Sequence, residues 1–132
     1  MENHNDAMSE SINTFEDLEI WKRGCQLTVD ICVATHDSKD YVFRDQMQRS
    51  ALSIPSNIAE GCERDTTPDF IRFLRISKGS CGELRTQLYI SERVRKRLKQ
   101  APLDGSRSMI AETKELSKMI QGLINSLRRR PK

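Results

Sequence analysis

The sequence predicts an all-α protein, an antiparallel up-down-up-down four-helix bundle whose second helix is kinked at Pro55. Apolar residues recur at steps of three and four along four segments, each bounded by turn or capping residues. No stretch alternates apolar and polar residues with period two, so no strand competes. The connections are short, which sets consecutive helices side by side in opposite directions. At 132 residues, 36% hydrophobic and 31% charged, the chain is long enough for one domain with its own core.

Residues 1–13 (MENHNDAMSESIN) are polar and without period, and are read as a disordered tail ahead of a bundle over 14–129. Thr14 is read as an N-cap, with Glu16 and Asp17 in the first turn where negative charge suits the free N–H groups. Leu18, Trp21, Cys25, Thr28, Cys32 and Thr35, widened by Phe15, Val29 and Ile31, give a first helix over 15–36. Asp37–Asp40 is a turn. The second helix, 42–61, carries Phe43, Met47, Ala51, Ile54, Ile58 and Cys62, with Gly61 as its C-terminal stop. Thr67-Pro68-Asp69 reads as cap, proline and acid at the start of a third helix over 68–99, with core positions Phe70, Leu74, Ser77, Cys81, Leu84 and Leu88. Ala101–Gly105 breaks the pattern. The fourth helix, 106–129, shows Met109, Thr113, Leu116, Ile120, Leu123 and Leu127, and residues 130–132 form a basic tail.

The stretch Ser53–Gly61 (SIPSNIAEG) sets a proline inside a helical period. A proline there removes one donor and presses on the carbonyl of Ala51, costing about 3 kcal/mol in an ordinary helix. The helix must bend and the freed carbonyl must find another donor, for which the Ser53 and Ser56 hydroxyls or water could serve. Gln46, Ser50, Ser53, Asn57 and Glu60 follow the same spacing and form a polar seam beside the apolar stripe. The third helix offers small residues to match: Ser77, Gly79, Ser80, Cys81 and Gly82, followed by Glu83, Thr86 and Gln87. Two mid-helix glycines cost about 1 kcal/mol each against alanine, which calls for a packing reason. One reading is a bent second helix docked on this patch and sealed by hydrogen bonds; the other is a polar pocket for a ligand. The first is preferred, because the seam supplies its own donors and acceptors.

The run Gln48–Gly61, followed by Phe70, Phe73-Leu74, Lys78-Gly79-Ser80, Glu83-Leu84 and Thr86-Gln87-Leu88, resembles the bacterial four-helix-bundle proteins encoded within 23S rRNA intervening sequences, also labelled S23 ribosomal proteins. Phe15, Asp17, Leu18, Trp21 and Lys22 fit the same pattern, so the resemblance covers about residues 15–125. Ser77 stands where that family often has alanine, and Cys62, Cys81 and Gly82 fall where the family varies. The resemblance implies a ring-shaped homopentamer, and similarity to the accessory protein of diversity-generating retroelements, a basic bundle that engages nucleic acid and a reverse transcriptase. It brings no catalytic residues.

Net charge is only +3, but residues 1–40 hold nine acids against three bases while residues 64–99 hold ten bases against four acids. On a helical wheel Arg72, Arg75, Lys78, Arg85, Arg93 and Lys96 fall on one outward face of the third helix, and Arg128, Arg129 and Arg130 extend the charge at the C-terminus. Such a face attracts polyanions in a salt-dependent, sequence-independent way. The alternatives are a solvated face, or one matched by the acidic first helix of a neighbour. Trp21, Tyr41 and Tyr89 are dispersed and offer no stacking platform, so binding would read backbone and shape rather than bases. Ile76, Ile90 and Val94 fall on a third sector, expected as an oligomer interface; a core that is merely wide there is the alternative.

These readings give a non-enzymatic oligomeric accessory protein that associates with RNA or DNA backbone through the third helix. The alternative is a protein-interaction scaffold, for example for a reverse transcriptase, without direct nucleic-acid binding. An enzyme built on Ser53, Asn57 and Glu60 is disfavoured. His4 lies in the polar tail and His36 near a helix end, and neither the Glu-x-x-His pairs of di-iron bundles nor a phosphate-binding loop is present. No cofactor or metal is expected. The absence of an export leader or apolar span predicts a cytoplasmic protein without membrane contact, whose four cysteines are reduced, small core residues.

Overall fold

The computed structural model describes residues 14–129. A 3-10 turn, Phe15–Asp17, leads into four α-helices: α1 Glu19–Ala34, α2 Tyr41–Cys62, α3 Thr67–Arg97 and α4 Ser106–Arg128. No strand occurs among the described residues. Each helix packs on its neighbours in the chain, and α1 closes against α4. The cross-helix bonds give the directions. Thr28 of α1 and Thr35 at its C-cap meet Ala51 and Gln48 of α2, and Lys78, Arg85 and Glu92 of α3 meet Gln121, Thr113 and Ser106 of α4. Numbers rising on one helix fall on the next, so these neighbours run in opposite directions. The expected tails, 1–13 and 130–132, lie outside the described residues.

The helix ends follow backbone chemistry. Thr66, not Thr67, caps α3 by accepting from the N–H of Asp69 at 3.2 Å, which moves the cap one residue upstream and leaves Pro68 in the first turn. Asp40 caps α2 in the same way, from Phe43. Thr14 makes no cap bond; its hydroxyl donates to Asp17 at 2.7 Å, and the first helix of 15–36 is instead a 3-10 turn followed by α1. At the end of α3, Gln100 N–H donates to Arg95 O at 2.8 Å and Lys99 N–H to Lys96 O at 3.1 Å. This is the paired closure of a Schellman motif, and it holds Lys99 at φ 58° where glycine is usual.

Core positions of α3 and α4 match the sequence stripe: Phe70, Leu74, Ser77, Cys81, Leu84 and Leu88, and Met109, Thr113, Leu116, Ile120 and Leu127, are buried. At the ends of α1 the expected Leu18, Ile31 and Thr35 are buried, but between them the stripe lies one position away. Ile20, Gly24, Leu27 and Ile31 are buried, whereas Trp21, Cys25 and Thr28 are half-buried and Val29 and Cys32 are exposed. Two neighbouring stripes both carry helical period, and Gly24 decides between them. A Cβ there would stand 3.3 Å from Ile54 Cγ2 and 3.4 Å from the Pro55 ring, so the bare backbone lets α2 come close. Pro55 itself is buried, inside a helix assigned without a break from Tyr41 to Cys62.

Candidate nucleic-acid interface

The α2–α3 seam is a closed hydrogen-bond network. Ser53 Oγ and Ser80 Oγ lie 2.8 Å apart, and Ser77 Oγ donates to Ile54 O at 2.9 Å. Asn57 Nδ2 donates to Ser53 O and Ser53 Oγ, at 2.8 and 2.9 Å. The donor for the carbonyl freed by Pro55 is neither Ser53 nor Ser56. Thr28 Oγ1 shares its one proton between Gly24 O of its own helix, at 2.8 Å, and Ala51 O, at 3.0 Å, so the proline is supported in part by the neighbouring helix. Glu60 turns outward to Arg64 at 3.2 Å. The carbonyl oxygen of Gln87 alone is buried without a partner among the described side chains. Ser53 and Asn57 thus form part of the packing, while Glu60 lies on the surface.

The glycines fall differently from the sequence expectation. Gly61 is not a C-terminal stop: it lies within α2, and a Cβ on it would meet Phe73 Cβ at 2.7 Å and Phe70 O at 3.2 Å. It is a close-approach residue, locking α2 to the start of α3. Gly79 and Gly82 serve no such contact. Gly79 is exposed, Gly82 half-buried, and a Cβ on either meets nothing within 4 Å. They face away from α2; Ser77, Ser80 and Cys81 supply the small surface there, all buried.

Gly79 and Gly82 instead line a shallow groove of about 420 Å³ between α3 and α4, together with Arg75, Lys78 and Arg85 from α3 and Ser117 and Gln121 from α4. Lys78 and Arg85 are half-buried rather than freely exposed, because α4 holds them. Lys78 Nζ donates to Gln121 Oε1 at 2.8 Å, and Arg85 donates through Nε to Thr113 Oγ1 at 3.0 Å and through Nη2 to Thr113 O at 3.3 Å. All three acceptors are neutral. Lys114 precedes Ser117 by three residues and Gln121 by seven, so it shares their side of α4, with Lys118 beside it; both are exposed. The same three-and-seven spacing was available in the sequence.

The remaining basic candidates do not join this groove. Arg72 pairs with Asp69 at 3.8 Å and lies over the Phe73 ring at 4.4 Å. Arg93 lines a separate hollow with Tyr89, Ile90 and Arg107, and Lys96 another near the α3–α4 loop. Arg107 there is neutralised by Glu92 at 2.9 Å. Arg128 and Arg129 are exposed, and Arg130 lies outside the described residues. From Arg72 to Lys96 the series runs along roughly 36 Å of helix. It is a string of sites rather than one patch. Ile76, Ile90 and Val94 are 43%, 45% and 44% exposed, so they are not part of a wide core; Glu83 beside them is exposed.

One ion pair was not legible in the sequence. Arg23 of α1 grips Glu112 of α4 with Nε–Oε2 2.8 Å and Nη2–Oε1 2.6 Å, and these bonds raise the Arg23 pKa further above its usual value. No cysteine forms a disulfide among the described residues; Cys81 is buried, Cys25 and Cys62 are half-buried, and Cys32 is exposed, so Cys32 is not a core residue. Burial pushes the Cys81 thiol up to about 11. It is protonated and inert as a nucleophile. Among the described residues no three His, Cys, Asp or Glu side chains are grouped to hold a metal ion, and no helix is long and apolar enough to cross a membrane.

The sequence model of the 23S rRNA-intervening sequence protein family matches residues 16–122, from the 3-10 turn into the last turns of α4. The chain belongs to this family. Its fold recurs in the crystal structure of a protein with unknown function from the S23 ribosomal protein family of Bacteroides thetaiotaomicron VPI-5482, with a TM-score of 0.71 and 22% identity over 80% of this chain and 97% of that one. At that identity the likeness is one of fold. No curated protein matches the sequence. The family match spans both faces of α3, seam and groove alike.

Proposed function

We propose that this chain is a non-enzymatic, oligomeric accessory protein that associates with nucleic acid through its phosphate backbone. The observation that carries the reading is that Arg75, Lys78 and Arg85 stand together on one groove and none is paired with a carboxylate of the described residues, whereas Arg23, Arg44, Arg64, Arg72 and Arg107 all are. Concentrated, uncompensated positive charge favours a polyanion, and each phosphate contact releases counterions. Membership of a family named for an rRNA insertion fits the same partner. The dispersed aromatics favour recognition of backbone and shape over bases. Binding of structured RNA and of duplex DNA, titrated against salt, tests this: affinity should fall linearly with salt on logarithmic axes. Absence of binding at low ionic strength overturns it.

A second reading rests on the exposed Ile76, Ile90 and Val94. Three nearly half-exposed aliphatic side chains on one helix suit a protein contact, either between copies of this chain in a ring, five by family resemblance, or with a partner such as a reverse transcriptase. Native mass measurement on the parent and on Ile90→Glu separates assembly from partner binding. A stoichiometric protein recovered without nucleic acid would favour the scaffold.

A further inference from the structure

Gly79 and Gly82 pose a problem that the fold does not solve. Each lies in the middle of a long helix, where glycine costs about 1 kcal/mol relative to alanine. Neither has the left-handed backbone that would demand glycine, and neither has a neighbour within 4 Å of where a Cβ would stand. Packing inside this chain therefore gives no return for them. Gly24 and Gly61, by contrast, are both pressed against α2 or α3 side chains.

What surrounds them supplies a reason. Gly82 follows Lys78 by four residues and precedes Arg85 by three, so it sits between them on one stripe of α3; Gly79 is related to Arg75 and Gly82 in the same way. Lys78 and Arg85 are drawn down toward α4 by Gln121 and Thr113, which places their head groups low in the groove. Their acceptors are neutral, so the side chains are ordered while their charge remains available. A larger side chain at 79 or 82 would stand in front of these recessed cations. Bare backbone there lets an extended anionic strand lie against the helix and reach them directly.

We infer that the α3–α4 groove is a seat for a single phosphodiester strand, with Gly79 and Gly82 as its floor and Arg75, Lys78 and Arg85 as its phosphate contacts. This deepens the nucleic-acid reading above and rests on it. The glycines are steric rather than charged determinants of binding, and their effect on affinity opposes their effect on stability.

The test compares the full chain with Gly79→Leu/Gly82→Leu, Arg75→Ala/Lys78→Ala and the distal pair Arg93→Ala/Lys96→Ala. Affinity for a fluorescein-labelled RNA hairpin is read across a salt series, and stability by urea unfolding. The glycine variant should be at least as stable as the parent and bind about tenfold more weakly, while the Arg75/Lys78 variant loses about two units of salt slope. The distal pair should lose less than about threefold. Parent binding that the glycine variant retains in full, or equal losses from the near and distal pairs, overturns the seat and leaves diffuse attraction. A parent that binds no RNA at low salt overturns the seat together with the nucleic-acid reading.

Discussion

The two sides of α3 handle polarity in opposite ways. Toward α2, the hydroxyls of Ser77 and Ser80 and the amide of Asn57 are bonded within the bundle, and even the carbonyl stripped of its donor by Pro55 is met by Thr28. Toward α4, Lys78 and Arg85 are bonded too, but only to neutral atoms, so their geometry is fixed and their charge is not cancelled. Satisfied polar groups at close approach mark an internal joint. Ordered but uncompensated charge above bare backbone marks a surface that meets something else. The same residue types, serine and glycine, serve both sides, and only their surroundings tell them apart.

The largest effect that would test this contrast is at Gly61. A methyl group there is forced to within 2.7 Å of Phe73 Cβ and 3.2 Å of a backbone oxygen, so Gly61→Ala should destabilise by about 2–3 kcal/mol in urea unfolding. A neutral result would mean that the joint is loose. Next comes the proline's carbonyl. Thr28→Val should cost about 1–2 kcal/mol by leaving Ala51 O without its side-chain donor. In a Pro55→Ala background the restored N–H takes that carbonyl, so the same substitution should cost about 1 kcal/mol less, a coupling that a double-mutant cycle measures directly.

On the groove side the expected sign reverses. Gly79→Ala and Gly82→Ala should each stabilise the fold by about 0.5–1 kcal/mol, since helix propensity rises and no contact is disturbed; destabilisation at either would place a packing partner there. Smallest is Lys78→Met, which keeps the aliphatic stem along α4 and should shift stability by no more than about 0.5 kcal/mol. Away from both sides, Lys99→Gly should relieve the left-handed backbone at the end of α3 and raise stability by roughly 1 kcal/mol.

Much of the bundle was legible in the chain. Period and the breaks at 37–40 and 101–105 located four helices, although Thr14, Thr67 and Gly61 are not their caps, and the polar seam was visible because Ser53 and Asn57 keep the core's own spacing. The register of α1 was not, since Trp21, Cys25 and Thr28 form as good a helical stripe as Ile20, Gly24 and Leu27. The candidate site was legible as a list of cations, but not as a division into paired and unpaired ones. Asp69 pairs with Arg72, and Gln121 and Thr113 of α4 hold Lys78 and Arg85, which a wheel of α3 alone does not show.

By itself the sequence determined the helices and the presence of an excess of base on the third, because period and charge are properties of local order along the chain. Tertiary structure decided how the glycines of the first three helices differ. Gly24 and Gly61 admit a neighbouring helix and Gly79 and Gly82 admit none, and that depends on what stands opposite a missing side chain, which no single helix can encode.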